Sequence, residues 1–138
     1  MWLRAGGTVA LTLLLVLVAA ACGSAGARHT SHTVTFRTGG NFPAETIVGH
    51  HTDRGCVRDG RTVAENARLF YEHSTGAPGP ADLYYYDLRF AFAHFQADGC
   101  TSGDLRRALE RCLTAPQRTF LLHNVAGDVD RAFHAALG

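Results

Sequence analysis

The sequence predicts an α+β fold that is mostly α: a short N-terminal β-hairpin or arm followed by about four packed helices, in one domain over residues 33–138. Three observations carry this prediction. Thr33-Val34-Thr35-Phe36-Arg37-Thr38 alternates polar and apolar residues, the period of a half-buried strand. From residue 62 onward, apolar residues recur at helical spacing behind residues suited to capping. The apolar run near the N-terminus is too short to be a permanent membrane span, which sets it apart from the domain.

That run defines the first segment. Met1-Trp2-Leu3-Arg4 supplies one positive charge, and Val9 to Ala21 is apolar apart from Thr12, a stretch of 13 residues. A membrane-spanning helix needs roughly 20 apolar residues. Residues 1–21 therefore read as a signal peptide, with small residues where a peptidase can act. The stretch Val18-Ala19-Ala20-Ala21-Cys22-Gly23-Ser24 resembles the lipobox of bacterial lipoproteins, with Ala19 where a leucine is commonest. The resemblance implies a diacylglycerol on the Cys22 thiol and a mature chain that starts at this lipid anchor. It implies a domain held at the cell membrane on its extracytoplasmic face. A second cut after Ala25-Gly26-Ala27 would instead give a freely secreted protein. Residues 22–32, rich in Gly, Ser, Ala and His, read as a flexible tether.

Within the domain, Thr46-Ile47-Val48 offers a second strand to pair with the first across a loop containing Pro43. A two-stranded hairpin is marginal in water, so it must lean on a neighbour. Thr62-Val63-Ala64-Glu65 predicts the start of the first helix by a capping box, with Val63, Ala67, Phe70 and Tyr71 on one face and Gly76 as its stop. Ala81 to Ala97 carries six aromatic residues on several sides, which predicts the central helix. Its polar residues Asp87, His94 and Asp98 form one narrow stripe. Thr101 or Ser102 caps a third helix with an apolar stripe of Leu105, Ala108, Leu109 and Cys112. Thr114-Ala115-Pro116-Gln117 is a second capping box. It opens a last helix toward Leu137 on Leu121, Val125, Val129, Ala132, Phe133 and Ala136, weakened midway by Gly127.

Charge excludes one class of partner. All 13 basic residues are arginine, and beyond residue 21 twelve of them face 12 acidic residues, a balance of zero. A nucleic-acid binder needs a basic excess to neutralise phosphates, so nucleic acid is not expected. Without lysine, no Schiff base or lysine general base is available.

The cysteines carry a geometric argument. With Cys22 lipidated, Cys56, Cys100 and Cys112 remain. Cys100 and Cys112 bracket one helix, whose twelve residues span about 18 Å, whereas bonded cysteines need Cα atoms roughly 4.4–6.8 Å apart. Cys56 must take one of them. Cys112 lies on the apolar stripe as a buried thiol, and Cys100 lies in a turn, so Cys56–Cys100 is the expected disulfide.

Eight histidines are the one unusual supply of site chemistry. His50, His51 and Asp53 are candidate ligands for zinc or copper, with His29 and His32 in reach along the tether. Against this, neighbouring histidines on a strand point to opposite faces, and no full ligand-spacing motif is present. His94 and Asp98, one helical turn apart, form a candidate acid–base pair for a small hydrolase, with Asp87 two turns away. No Gly-x-Ser-x-Gly elbow, no Cys or Ser set beside a His in a recognisable order, and no phosphate-binding Gly loop occurs. The sequence therefore leans away from an enzyme. The leading expectation is a lipid-anchored binding or interaction module, facing another envelope protein. A metal-binding lipoprotein and a small hydrolase are the alternatives.

Overall fold

A computed structural model of the chain describes residues 32–37 and 43–138. Residues 1–21, the Cys22 anchor and the tether as far as residue 31 lie outside the described residues. The fold is mostly helical with one short antiparallel hairpin ahead of the helices. Strand β1 spans Thr33–Phe36 and β2 spans Glu45–Val48, paired in the register Val34 with Ile47 and Phe36 with Glu45. Five helices follow: α1 Asp53–Ser74, α2 Ala81–Ala97, α3 Ser102–Cys112, α4 Ala115–Asn124 and α5 Gly127–Leu137.

Local chemistry explains most of these boundaries. Thr101 caps α3 through a reciprocal box with Asp104, and Thr114 caps α4 through one with Gln117, as the sequence predicts. Helix α1 begins ten residues before the expected start. Its cap is Thr52, whose hydroxyl accepts from the Gly55 amide at 2.8 Å. The Thr62-x-x-Glu65 box sits inside this helix, where the Thr62 hydroxyl donates back to the Arg58 carbonyl oxygen at 3.1 Å. Gly60, in the interior of α1, is a packing residue. A Cβ there would lie 3.1 Å from Ala108 Cβ on α3.

The expected last helix is two helices. Val125 and Ala126 take extended backbone, and Gly127 adopts φ +66°, a left-handed conformation that costs glycine little. The chain turns there and α5 packs back toward α3.

Helix α2 is central because it is buried on two sides. Leu88, Phe92 and Phe95 join Val63, Ala67 and Phe70 of α1, Leu105 and Leu109 of α3, Leu121 of α4 and Phe133 of α5 in the main core. Ala93 and Ala97 face the hairpin instead, packing on Phe36 and Ile47. This is the support the hairpin requires. Gly49 makes the approach possible: a Cβ there would fall 1.6 Å from the Ala97 carbonyl oxygen. Each large apolar side chain buried this way contributes about 2–3 kcal/mol.

Cys112 corrects one expectation. It is a free thiol and exposed. The buried stripe of α3 runs Leu105, Leu109, Leu113 at four-residue spacing, and Leu113 takes the core position just past the helix end. Among the described residues no polar or charged residue is fully buried, so any chemistry lies at the surface or in a cleft.

Candidate functional site

Cys56 and Cys100 are bonded, with Cα atoms 5.4 Å apart, and this bridge ties the start of α1 to the turn after α2. Asp59 lies one helical turn beyond Cys56, and Asp98 lies two residues before Cys100. The disulfide therefore fixes the distance between two carboxyl groups that come from separate helices.

Asp98 ends α2 and is held from several directions. Its Oδ1 accepts from the His50 backbone amide at 2.7 Å. Its carbonyl oxygen accepts from His51 Nδ1 at 2.8 Å, which puts the imidazole proton on that nitrogen, 3.6 Å from Cys56 Sγ. Asp59 accepts from Arg58 Nε at 3.1 Å and is half-buried, while its Oδ2 is shielded from water.

The Asp59 carboxyl lies near that of Asp98, and its titration is displaced upward. Burial first, then the Asp98 carboxylate beside it, push its pKa above the ordinary value, and Arg58 only partly offsets them. Asp98 moves the other way. Burial pushes it up, but the neighbouring Asp59 carboxyl, the hydrogen bond from the His50 amide, and the Arg58 and His94 charges outweigh that and hold it below the usual range. The pair is two neighbouring carboxyls displaced in opposite directions.

These groups open onto a cleft of about 330 Å³ between α1 and α2. Helix α1 contributes Arg58, Asp59, Thr62 and Asn66; α2 contributes Asp87, Phe90, His94 and Asp98. The His94 ring meets Phe90 edge to face, with centroids 4.7 Å apart, and is itself exposed. Thr62 and Asn66 spend donors on the carbonyls one turn back, which leaves the Asn66 amide oxygen as an acceptor. The cleft is rich in acceptors: three carboxyl groups and an amide oxygen against one exposed guanidinium.

The structure thus gathers Asp87, His94 and Asp98, the polar stripe read from the sequence, into one concave site. It adds Asp59 and Arg58, which sequence reasoning missed because residues 53–61 were not assigned to a helix. The Thr52 cap was the available signal: it starts α1 early enough to put Asp59 one turn past Cys56.

The expected zinc or copper ligands are not gathered. His51 Nε2 is 3.7 Å from Asp53 Oδ1, but the other imidazole nitrogen is committed to the Asp98 carbonyl, and His50 enters the site through its backbone amide. The two histidines follow β2 in irregular chain, and among the described residues no three His, Cys, Asp or Glu side chains are grouped to hold a metal ion. Among the described residues no helix is long and apolar enough to cross a membrane. No family model matches the chain, and neither a curated protein nor a solved structure is similar to it.

Proposed function

We propose that the protein is a lipid-anchored extracytoplasmic binding module, tethered through Cys22, whose ligand seat is the α1/α2 cleft. The observation that supports this most is the convergence of Asp59, Asp87, His94 and Asp98, from two helices, on one open concavity. A cleft dominated by acceptors selects a small ligand rich in donors, an amine or a polyol, because each donor meets an oxygen held in place in a concave site. The Phe90 ring gives such a ligand an apolar edge to lie against. The zero charge balance beyond residue 21 fits a soluble head at the membrane without a polybasic patch.

A second reading is favoured by one specific observation. Carboxyls pushed in opposite directions, beside an imidazole, are the elements of acid–base hydrolysis. Against it, the Asp59 side chain is only 12% exposed, so it meets little solvent or substrate.

The test uses the protein matured in a bacterial host and recovered from the membrane fraction. Intact mass reports whether the chain starts at Cys22 with a diacylglycerol. Thermal shift and calorimetry then screen small amines and sugars. A ligand present at about 100 times its Kd stabilises the fold by about 2.7 kcal/mol. Asp98→Asn and His94→Ala should abolish that shift, whereas Cys112→Ser should preserve it. No ligand in either class, or binding untouched by both cleft variants, ends the reading. Turnover of a chromogenic ester or glycoside that is lost in Asp98→Asn would favour the hydrolase instead.

A further inference from the structure

We propose that the outward edge of β1, with which no further strand pairs among the described residues, is a docking site for an acidic, extended peptide segment of a partner protein, which adds to the hairpin as a third strand.

The argument starts from the hydrogen-bond phase of the hairpin. Gly49 N donates to His32 O at 3.0 Å, so His32 and Gly49 form a hydrogen-bonded pair. In an antiparallel ladder such pairs alternate with non-bonded ones. The register then makes Val34 with Ile47 and Phe36 with Glu45 the bonded pairs. The amides and carbonyls of Thr35 and Arg37 must point the other way, out of the hairpin. The Arg37 carbonyl does so, accepting from Arg89 Nη2 at 3.0 Å.

This outward edge, exposed at Thr35 and Arg37, forms one wall of a groove of about 520 Å³. The floor is α2, with Phe92, Ala93 and Gln96, and the far wall is the turn from Ala126 into α5. A strand laid along β1 would turn alternate side chains onto that apolar floor while its backbone meets Thr35. A two-stranded hairpin gains most from such an addition, since three strands on an apolar face are far more stable than two.

Charge decides the occupant. Arg37 and Arg89 both line the groove. Arg89 is held in place over the Phe36 ring, 5.4 Å from its centroid, and by its bond to the Arg37 carbonyl. The one acidic group in the lining, Asp128, is engaged by Arg131. The α5 cap, Ala126, brings no side-chain acceptor to that end of the groove. The groove is therefore net positive, with the Arg89 guanidinium held in place, and a carboxylate on the incoming strand complements it.

The test selects random short peptides displayed on phage against the full-length protein, then measures chosen sequences as blocked synthetic peptides by calorimetry and amide chemical shifts. The proposal expects enriched sequences with alternating apolar residues and an acidic residue at a fixed position. Arg89→Ala should weaken their binding about tenfold, and replacing the acidic residue with its amide should do the same. Thr35→Pro removes an outward amide and no bond of the hairpin, so it should abolish binding while leaving the melting temperature in place. Thr46→Pro, at the opposite edge, should change nothing and controls for generic damage. The idea is overturned if nothing is enriched, if selected peptides bind Thr35→Pro as well as the parent, or if the edge pairs with a second copy of this chain.

Discussion

Removing the Cys56–Cys100 bridge, by Cys56→Ala with Cys100→Ala, tests how the cleft is held as well as how the fold is stabilised. The bridge closes a loop with a sequence separation of 44. Loop-closure entropy makes such a cross-link worth about 4 kcal/mol, chiefly by restricting the unfolded chain. Alanine is the right replacement because Cys56 is 2% exposed and a serine would bury a hydroxyl. For a domain of this size each 1 kcal/mol moves the melting temperature by about 4–5 °C, so the variant should melt roughly 15–20 °C lower. Circular dichroism melts, backed by a urea titration, measure this directly. The local consequence is equally specific. Asp59 and Asp98 are brought together from the two sides of the bridge, so its loss should return the Asp59 pKa toward the ordinary carboxylate range, read by carboxyl carbon chemical shifts. A fall under about 5 °C would mean that the bridge barely restricts the unfolded chain. An unchanged Asp59 titration would mean that helix packing alone sets the pair.

Three further outcomes follow. Asp59→Asn should flatten the upper limb of the pH–stability profile. Between the ordinary carboxylate value and the raised Asp59 value, the folded state binds more protons than the unfolded chain, so stability falls as pH rises; asparagine has nearly the same shape and cannot ionise. The lower limb should survive, because Asp98 and Asp104 are held below the ordinary value and their contribution is lost as pH falls; denaturant midpoints across pH check both limbs. Gly49→Ala should lift the hairpin from α2 and cost about 2 kcal/mol, with faster amide exchange confined to residues 33–36 and 45–48. Phe133→Ala, at a side chain with no exposure, should cost about 3–5 kcal/mol, whereas exposed Cys112→Ser should stay within about 0.5 kcal/mol in the same unfolding assay.

Much of the fold could be read from local chemistry. The alternation at residues 33–38 marked β1, the aromatic run marked α2 as the central helix, and the caps at Thr101 and Thr114 marked α3 and α4. Each signal is local: the residues that carry it lie within a few positions of the structure they specify. The Cys56–Cys100 pairing was also within reach, because helix rise alone forbids Cys100 from meeting Cys112.

Tertiary structure decided what local signals could not. The capping box at Thr62 reads as the start of the first helix, yet α1 runs from Asp53, and Gly60 within it lets α3 come close, a Cβ there lying 3.1 Å from Ala108. Cys112 and Leu113 are adjacent candidates for one core position, and only the direction in which α3 leaves the core exposes the first and buries the second. The cleft itself is of this kind. The spacing of Asp87, His94 and Asp98 put them on one stripe, but whether that stripe faces solvent or a neighbour depends on where α1 lies. Asp59 comes from 39 positions earlier in the chain and lies near Asp98 in one cleft only because a disulfide and a helix crossing bring them together. Sequence determined the elements and their faces, because propensity, capping and periodicity act over one or two turns; the site depended on packing, because its carboxyls meet across elements that the chain connects only at a distance.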